Sequence, residues 1–163
     1  AAGLGNARLA PMVGLNAPVV PNKGHILVLE RVQPFLSIPL ETIRQTDEGT
    51  VMIGDAQQDR GLDATLDPAI LTAMAQRAIR VFPQLRDVRV NRTWAALRVM
   101  SPDGYPIYAQ SVTHPGAFLV TCHSGVTLAA AHAFDLAPAI ALGQLPSTMH
   151  PFAIQRFDVR AAA

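Results

Sequence analysis

The 163 residues include a single cysteine, Cys122, few aromatic side chains and few charges, only 15% of positions being Asp, Glu, Lys or Arg. One cysteine excludes an intramolecular disulfide framework and a cysteine-rich metal knuckle, and it fits a reducing compartment. No run of lysines and arginines occurs, and 13 basic against 12 acidic residues leave a formal charge of +1. The basic footprint of a nucleic-acid binder is therefore missing. Every apolar stretch is broken by Pro, Gly, His or Asp short of the roughly 20 residues that span a bilayer.

Several chemical devices are absent as well. Neither a Gly-x-Gly-x-x-Gly turn nor a Walker loop occurs, so the chain alone holds no nucleotide pyrophosphate by either means. His25, His114, His123, His132 and His150 lack spacings such as His-Glu-x-x-His, and no metal site is expected. Cys122-His123-Ser124-Gly125 fails the Gly-x-Ser-x-Gly elbow at its first glycine, and adjacency of His123 and Ser124 is not a catalytic dyad. Cys122 ends an apolar strand, where a buried structural cysteine is commoner than a nucleophile.

What the chain does have is apolar mass: 50% of residues are hydrophobic and the mean hydropathy is +0.24. That suffices to order one domain or slightly more. With so few charges, it also reads as a surface normally covered by something outside the chain. A glycine-rich opening, Ala1–Asn6, precedes a short helix around Ala7–Ala10, and Pro18, Pro21 and Gly24 read as a linker. His25–Glu30 has the β-branched and apolar content of a buried strand. Thr42–Thr46 and Thr50–Gly54 flank Asp47-Glu48-Gly49 as a hairpin, and Gly54–Gly61 reads as a loop. Leu66, Ile70, Met74, Ala78 and Phe82 recur every four residues, predicting a helix capped by Thr65 or Asp67, opened by Pro68 and stopped by Pro83. Asp87–Met100 suits one long strand or two, with Tyr105–Ala109 returning as its partner after the Pro102-Asp103-Gly104 turn. Phe118–Cys122 is a short strand leading into an alanine-rich helix from Val126 to about Leu142, and an irregular tail follows.

Two features carry chemistry. Arg98 lies inside an otherwise apolar strand, where an unpaired charge is costly, so it needs an acidic partner such as Asp103 or an anionic ligand. The strand, glycine turn and helix from Val120 to Ala131 offer unsatisfied N–H groups at the positive end of a helix dipole; they suit an anion or anionic ring, or Ser124 and Thr127 simply cap the helix.

At these residues the sequence resembles the C-terminal part of the FAD-dependent superfamily of D-amino-acid oxidase, glycine oxidase and sarcosine oxidase. Ala1–Leu9 looks like its late glycine-rich segment. Pro21-Asn22-Lys23-Gly24-His25-Ile26-Leu27 resembles the Pro-x-Arg-Gly-Gln-Ile crossover, with Lys and His replacing Arg and Gln. Leu97–Ile107 is similar to the Leu-Arg-Pro-x-Thr-Pro-Asp-Gly-x-Pro-Ile signature, and Cys122–Ala129 to the Gly-His-Ser-Gly helix start over the flavin. Within that superfamily Leu97–Pro106 together with Thr121–His132 looks most like the catalytic subunits of hydrogen cyanide synthase and opine oxidase.

The resemblance implies an α+β fold: an antiparallel-rich mixed sheet with packed helices, plus a C-terminal strand and helix belonging to an incomplete FAD-binding domain. Residues 1–21 would be a residual flavin-domain segment and crossover, 22–115 the substrate-binding domain, and 116–163 the returning strand-helix and tail. It implies an FAD-dependent amine or amino-acid oxidoreductase moving a hydride from the carbon alpha to nitrogen onto flavin N5, with an imine product. Arg98 would hold the substrate carboxylate. Gly3, His123, Ser124, Gly125, Val126 and Thr127 would lie against FAD, the helix start near the flavin N1 and C2 carbonyl. The flavin would be noncovalent, since Ala95 or Ala96 stands where the sarcosine oxidase pattern has a cysteine. No side-chain general base is expected, the neutral amine being the reacting species. The implied partners are a small amino acid or secondary amine, an N-terminal FAD-binding part and other subunits of a dehydrogenase complex. A cytoplasmic setting, with the complex at the inner face of the membrane, goes with them, and the chain alone would be inactive. The alternative from the residues alone is a noncatalytic α+β module that binds a carboxylate ligand or a partner protein.

Overall fold

A computed structural model describes residues 1–54 and 56–158, which form a mixed α/β structure with antiparallel sheets and several helices. Packing divides it into two units, one of residues Pro21–Arg98 and one of Ala1–Val20 with Val99–Ala163. Residues 99–115, grouped with 22–98 in the sequence reading, pack in the second of these, because their strand pairs with the strand that follows it. Among the described residues no helix is long and apolar enough to cross a membrane.

The Pro21–Arg98 unit is built on a four-stranded sheet in the order β2-β3-β1-β4. β1 spans Val20–Arg31, β2 Ile43–Gln45, β3 Thr50–Ile53 and β4 Val90–Met100. The expected hairpin is present: β2 and β3 pair antiparallel with Arg44 opposite Met52. Its turn depends on Gly49, whose φ of 91° is left-handed. A Cβ there would also sit 2.4 Å from the Val32 carbonyl oxygen, so only glycine fits.

The predicted helix is α2, Pro68–Val81, following the short α1 at Asn6–Leu9. Asp67 rather than Thr65 caps it: one carboxylate oxygen accepts the N–H groups of Ala69 and Ile70 at 3.0 and 3.4 Å. Its apolar stripe buries Met74 and Ala78 against Leu27, Leu29, Ile43, Val51 and Ile53, as the four-residue recurrence requires.

The expected linker at Pro18–Gly24 is instead largely strand. Pro21 is tolerated near the start of β1 because little ladder precedes it. Lys23 is bridged to Gln58 by reciprocal backbone hydrogen bonds of 2.9 and 3.0 Å. Side chains then alternate across the strand. On one face Lys23 and His25 are buried, Lys23 pairing with Asp63 at 3.0 Å and His25 Nε2 accepting the Asp67 N–H at 3.1 Å. Gln58 donates to the second Asp67 oxygen at 3.3 Å, tying the start of α2 to the sheet.

The other unit centres on β5, Ile107–Gln110, and β6, Phe118–Thr121, a two-stranded antiparallel pair with Tyr108 opposite Val120. The sequence predicts instead that β5 returns along the 87–100 strand. The Pro102–Gly104 turn does not close such a hairpin: Asp103 accepts the Tyr105 N–H at 3.0 Å and Ser101 Oγ donates to the Tyr105 carbonyl at 2.6 Å, turning the chain into a separate ladder. Ile107 and Ala109 then pack with Ala10, Ala17 and Val19, while Tyr108, on the opposite face, packs with Leu136 and Met149.

The alanine-rich helix starts at Ala129, three residues later than the sequence predicts. It runs as α3 Ala129–Ala131, a π-helical turn His132–Leu136 and α4 Ala137–Ala141. Pro138 explains the π turn: it has no N–H for the Phe134 carbonyl and its ring would crowd that group. The ladder widens instead, the Ala137 N–H reaching back to the His132 carbonyl.

The His25 contact generates a pH prediction. Burial, first, and the Lys23 charge hold the imidazole below its usual 6.5, so the folded chain prefers neutral His25 while the unfolded chain takes up a proton more readily. Stability that is full above pH 6.5 is lost as pH falls through the lower, folded value. Urea unfolding at pH 7 and pH 5 should show this loss in the wild type. His25→Gln, which keeps an acceptor for the Asp67 N–H, should flatten it.

Candidate functional site

Arg98 leaves β4 half-buried inside the Pro21–Arg98 unit. Its Nη1 donates to Asn22 Oδ1 at 3.1 Å and to the Ala56 carbonyl at 2.9 Å. Both acceptors are neutral. Among the described residues no carboxylate pairs with this guanidinium. The expected partner Asp103 is engaged elsewhere, by Arg156, whose Nε and Nη2 approach its two carboxylate oxygens at 2.7 and 3.1 Å. The ion pair expected between Arg98 and Asp103 is thus not formed.

Gly24 lies on the same face of β1 as Asn22. A Cβ at Gly24 would stand 2.5–2.6 Å from Nη1, Cζ and Nη2 of Arg98, well inside contact distance. The guanidinium occupies the space that any other residue at 24 would fill. Sequence reading places Asn22 and Gly24 in a motif without assigning them a role. Their signal is the alternation with Lys23 and His25, which sets 22 and 24 on one face and 23 and 25 on the other.

In the other unit, β6 ends at Thr121 and the chain turns through Cys122–Leu128 into α3. Leu128 donates to the Ser124 carbonyl at 3.0 Å and Ala129 to the Val126 carbonyl at 3.2 Å. No backbone N–H from His123 to Thr127 donates to another described residue. No side chain caps the helix, so the capping role considered for Ser124 and Thr127 is not what the structure shows. His123, Ser124, Gly125, Val126 and Thr127 are all exposed, Val126 at 94%; His123 Nδ1 and Ser124 Oγ lie 3.2 Å apart. Gly3 is in a 3-10 turn of the same unit with a left-handed φ of 53°, Val99 being its nearest neighbour on the Cβ side.

This turn borders a cleft of about 1030 Å³. Ser124, Thr127, Tyr105 and Phe134 are among its lining residues, and most of its wall is apolar. Phe134 and Leu142, both 78% exposed, stand with Pro138 at four-residue spacing along it. Cys122 lines it too, its thiol pushed up by burial, which suits a structural cysteine better than a nucleophile. Deeper in, buried Tyr108 places its hydroxyl 2.8 Å from His132 Nε2; nothing in the sequence pairs these two residues, which lie 24 positions apart on different elements.

Residues 1–138 match the family described as FAD dependent oxidoreductase. The chain is 49% identical over 162 residues to one of the subunits of opine oxidase from Agrobacterium tumefaciens, covering 99% of this chain and 44% of that protein. It is 33% identical over 171 residues to hydrogen cyanide synthase subunit HcnC of Pseudomonas aeruginosa, covering 100% and 41%. In fold it is similar to glycine oxidase from Geobacillus kaustophilus, with a TM-score of 0.82, 21% identity, and coverage of 92% of this chain and 42% of that one. The chain therefore spans less than half the length of the curated relatives it matches.

The Asp103–Arg156 pair joins the 101–106 turn beside the cleft to the C-terminal segment, Arg156 also donating to the Phe152, Tyr105 and Pro106 carbonyls. The Arg156 hydrogen bonds, foremost, hold the Asp103 carboxyl down at about 2. The sign follows: the unfolded chain binds this proton first, so the contribution is full above the ordinary carboxylate value and fades as pH falls to about 2. Asp103→Asn should lower the urea midpoint at pH 5, and the difference from wild type should vanish by about pH 2.

Proposed function

Because the chain belongs to the FAD-dependent oxidoreductase family, we propose that it is the C-terminal portion of an amine or amino-acid oxidoreductase, with Arg98 as the residue that binds the substrate carboxylate. The observation that carries this reading is a half-buried guanidinium held by two neutral acceptors, with no carboxylate partner among the described residues. Such a group is solvated enough to persist and still attracts an anion strongly.

Residues of the second unit fit the cofactor. The N–H groups of residues 123–127 have no acceptor among the described residues and lie on an exposed turn beside an apolar cleft, and they suit an acceptor-rich ring with apolar faces. Gly3, His123, Ser124, Gly125, Val126 and Thr127 would hold FAD there, noncovalently, as Ala95 and Ala96 offer no thiol. Bound FAD supplies the acceptor for a hydride leaving the carbon alpha to nitrogen, the imine product being open to hydrolysis by water. The chain's own part is to fix the substrate's carboxylate through Arg98, leaving the amine neutral and uncovered. The exposed row of Phe134, Pro138 and Leu142 supports a further N-terminal FAD-binding part packing on this unit, and the named relatives support a multi-subunit setting.

Two measurements test the reading. In a flavin titration the purified chain should bind FAD poorly and oxidise no amine, whereas the full-length polypeptide should bind it saturably and release it intact on denaturation. Dye-linked glycine oxidation by the chain alone would overturn the division of labour. In the full-length protein Arg98→Lys should raise KM for carboxylated substrates roughly 10- to 100-fold, the span of one charge-assisted contact, and much less for simple amines. Equal effects on both would remove Arg98 from the site.

A further inference from the structure

Arg98 has three nitrogens, and the structure uses them unequally. Both hydrogens of Nη1 have acceptors, at Asn22 Oδ1 and at the Ala56 carbonyl. Nε and Nη2 donate to no described residue. Gly24 stands against the Nη1, Cζ and Nη2 atoms, the three nearest to where its Cβ would be. A carboxylate can meet a guanidinium end-on, through Nη1 and Nη2, or side-on, through Nε and Nη2. Gly24, equally near Nη1, Cζ and Nη2, lies against the face of the guanidinium and sets its plane, and with Nη1 engaged by two acceptors the end-on approach lacks one of its two donors.

We infer that Asn22 and Gly24 are positioning residues that select the side-on edge of Arg98, so that a substrate carboxylate is bound by Nε and Nη2. This rests on the carboxylate role of Arg98 proposed above and adds the edge and the two residues that choose it. Asn22 matters by its neutrality as well as by its reach. It orients the guanidinium without neutralising it, whereas an aspartate of the same shape would be a resident competitor for the incoming anion. Gly24 matters by lacking a Cβ: alanine there would drive the guanidinium off its two acceptors and release its orientation.

The deciding experiment is side-chain NMR of the full-length protein with 15N-labelled arginine, titrated with acetate as the probe. One Nε–H resonance, absent in Arg98→Lys, should shift saturably in the wild type. In Asn22→Asp, which is isosteric and keeps the contact to Nη1, acetate affinity should fall at least tenfold while the backbone amide spectrum is otherwise retained. Gly24→Ala should weaken binding by a similar factor, and if it fails to fold the decision falls on Asn22→Asp. Acetate binding that depends on Arg98 but leaves its Nε–H unmoved, or that is as tight in Asn22→Asp as in the wild type, overturns the edge selection and leaves the carboxylate reading standing. If no arginine responds to acetate, the carboxylate reading itself falls, and the edge selection with it.

Discussion

The alternation of four residues on β1 is the constraint on which the Pro21–Arg98 unit depends. Lys23 and His25 point to one face and are buried there; Asn22 and Gly24 point to the other, where Arg98 lies. A slip of one residue would exchange the faces, putting a lysine and a histidine against the guanidinium and taking from Asp63 its lysine and from the Asp67 N–H its acceptor. The register is therefore fixed by charge and hydrogen bonding as much as by apolar packing. That is why a segment with so little hydrophobic content is strand at all. The network reaches further, since Asp67 is at once the cap of α2, the donor to His25 and the acceptor from Gln58. The same alternation that buries the polar cluster delivers Arg98 its two side supports.

In the other unit the governing constraint is backbone satisfaction. Pro138 forces a π turn, and the helix begins only at Ala129, so the turn before it keeps its N–H groups out of the helical ladder. Exposed, they have water as a partner and can exchange it for a ligand at little cost. Had Ser124 or Thr127 capped the helix, some of these donors would be engaged by the protein. The late helix start and the missing cap are thus one fact.

What is legible in the sequence is whatever local pattern controls. The four-residue recurrence through Met74 and Ala78, the Asp67 cap and the Asp47–Gly49 turn are properties of short windows, and each is found where the pattern puts it. The resemblance carries the family and the fold, because ordered motifs survive where overall identity is low. Misreadings arise where a residue's role is set by something distant. Pro21 and Gly24 read as breakers because proline and glycine usually break strands, but Gly24 answers to an arginine far along the chain. Local pattern assigns Tyr105–Ala109 to the nearer strand, although Asp103 and Arg156, 53 residues apart, close the turn another way. Arg98 itself stands out because its chemistry is conspicuous in an apolar run. Its supports do not, since an asparagine and a glycine are unremarkable until they touch something.

Arg98 and Arg156 show how the same side chain is built for opposite ends. Arg156 is saturated: a bidentate carboxylate, four carbonyl oxygens and the face of Phe157 at 4.2 Å surround it. No affinity is left over for an incoming anion, and its work is to hold two segments together. Among the described residues Arg98 receives two hydrogen-bond acceptors, both uncharged oxygens. Neutral acceptors lower the cost of partial burial without cancelling the charge, whereas a carboxylate would do both and would have to be displaced by every ligand. A binding arginine in a folded protein must therefore be under-satisfied by design, and the measure of it is which nitrogens are left without a partner. By that measure Arg98 differs from Arg156: among the described residues its Nε and Nη2 have no partner, while Nη1 is held by Asn22 and the Ala56 carbonyl.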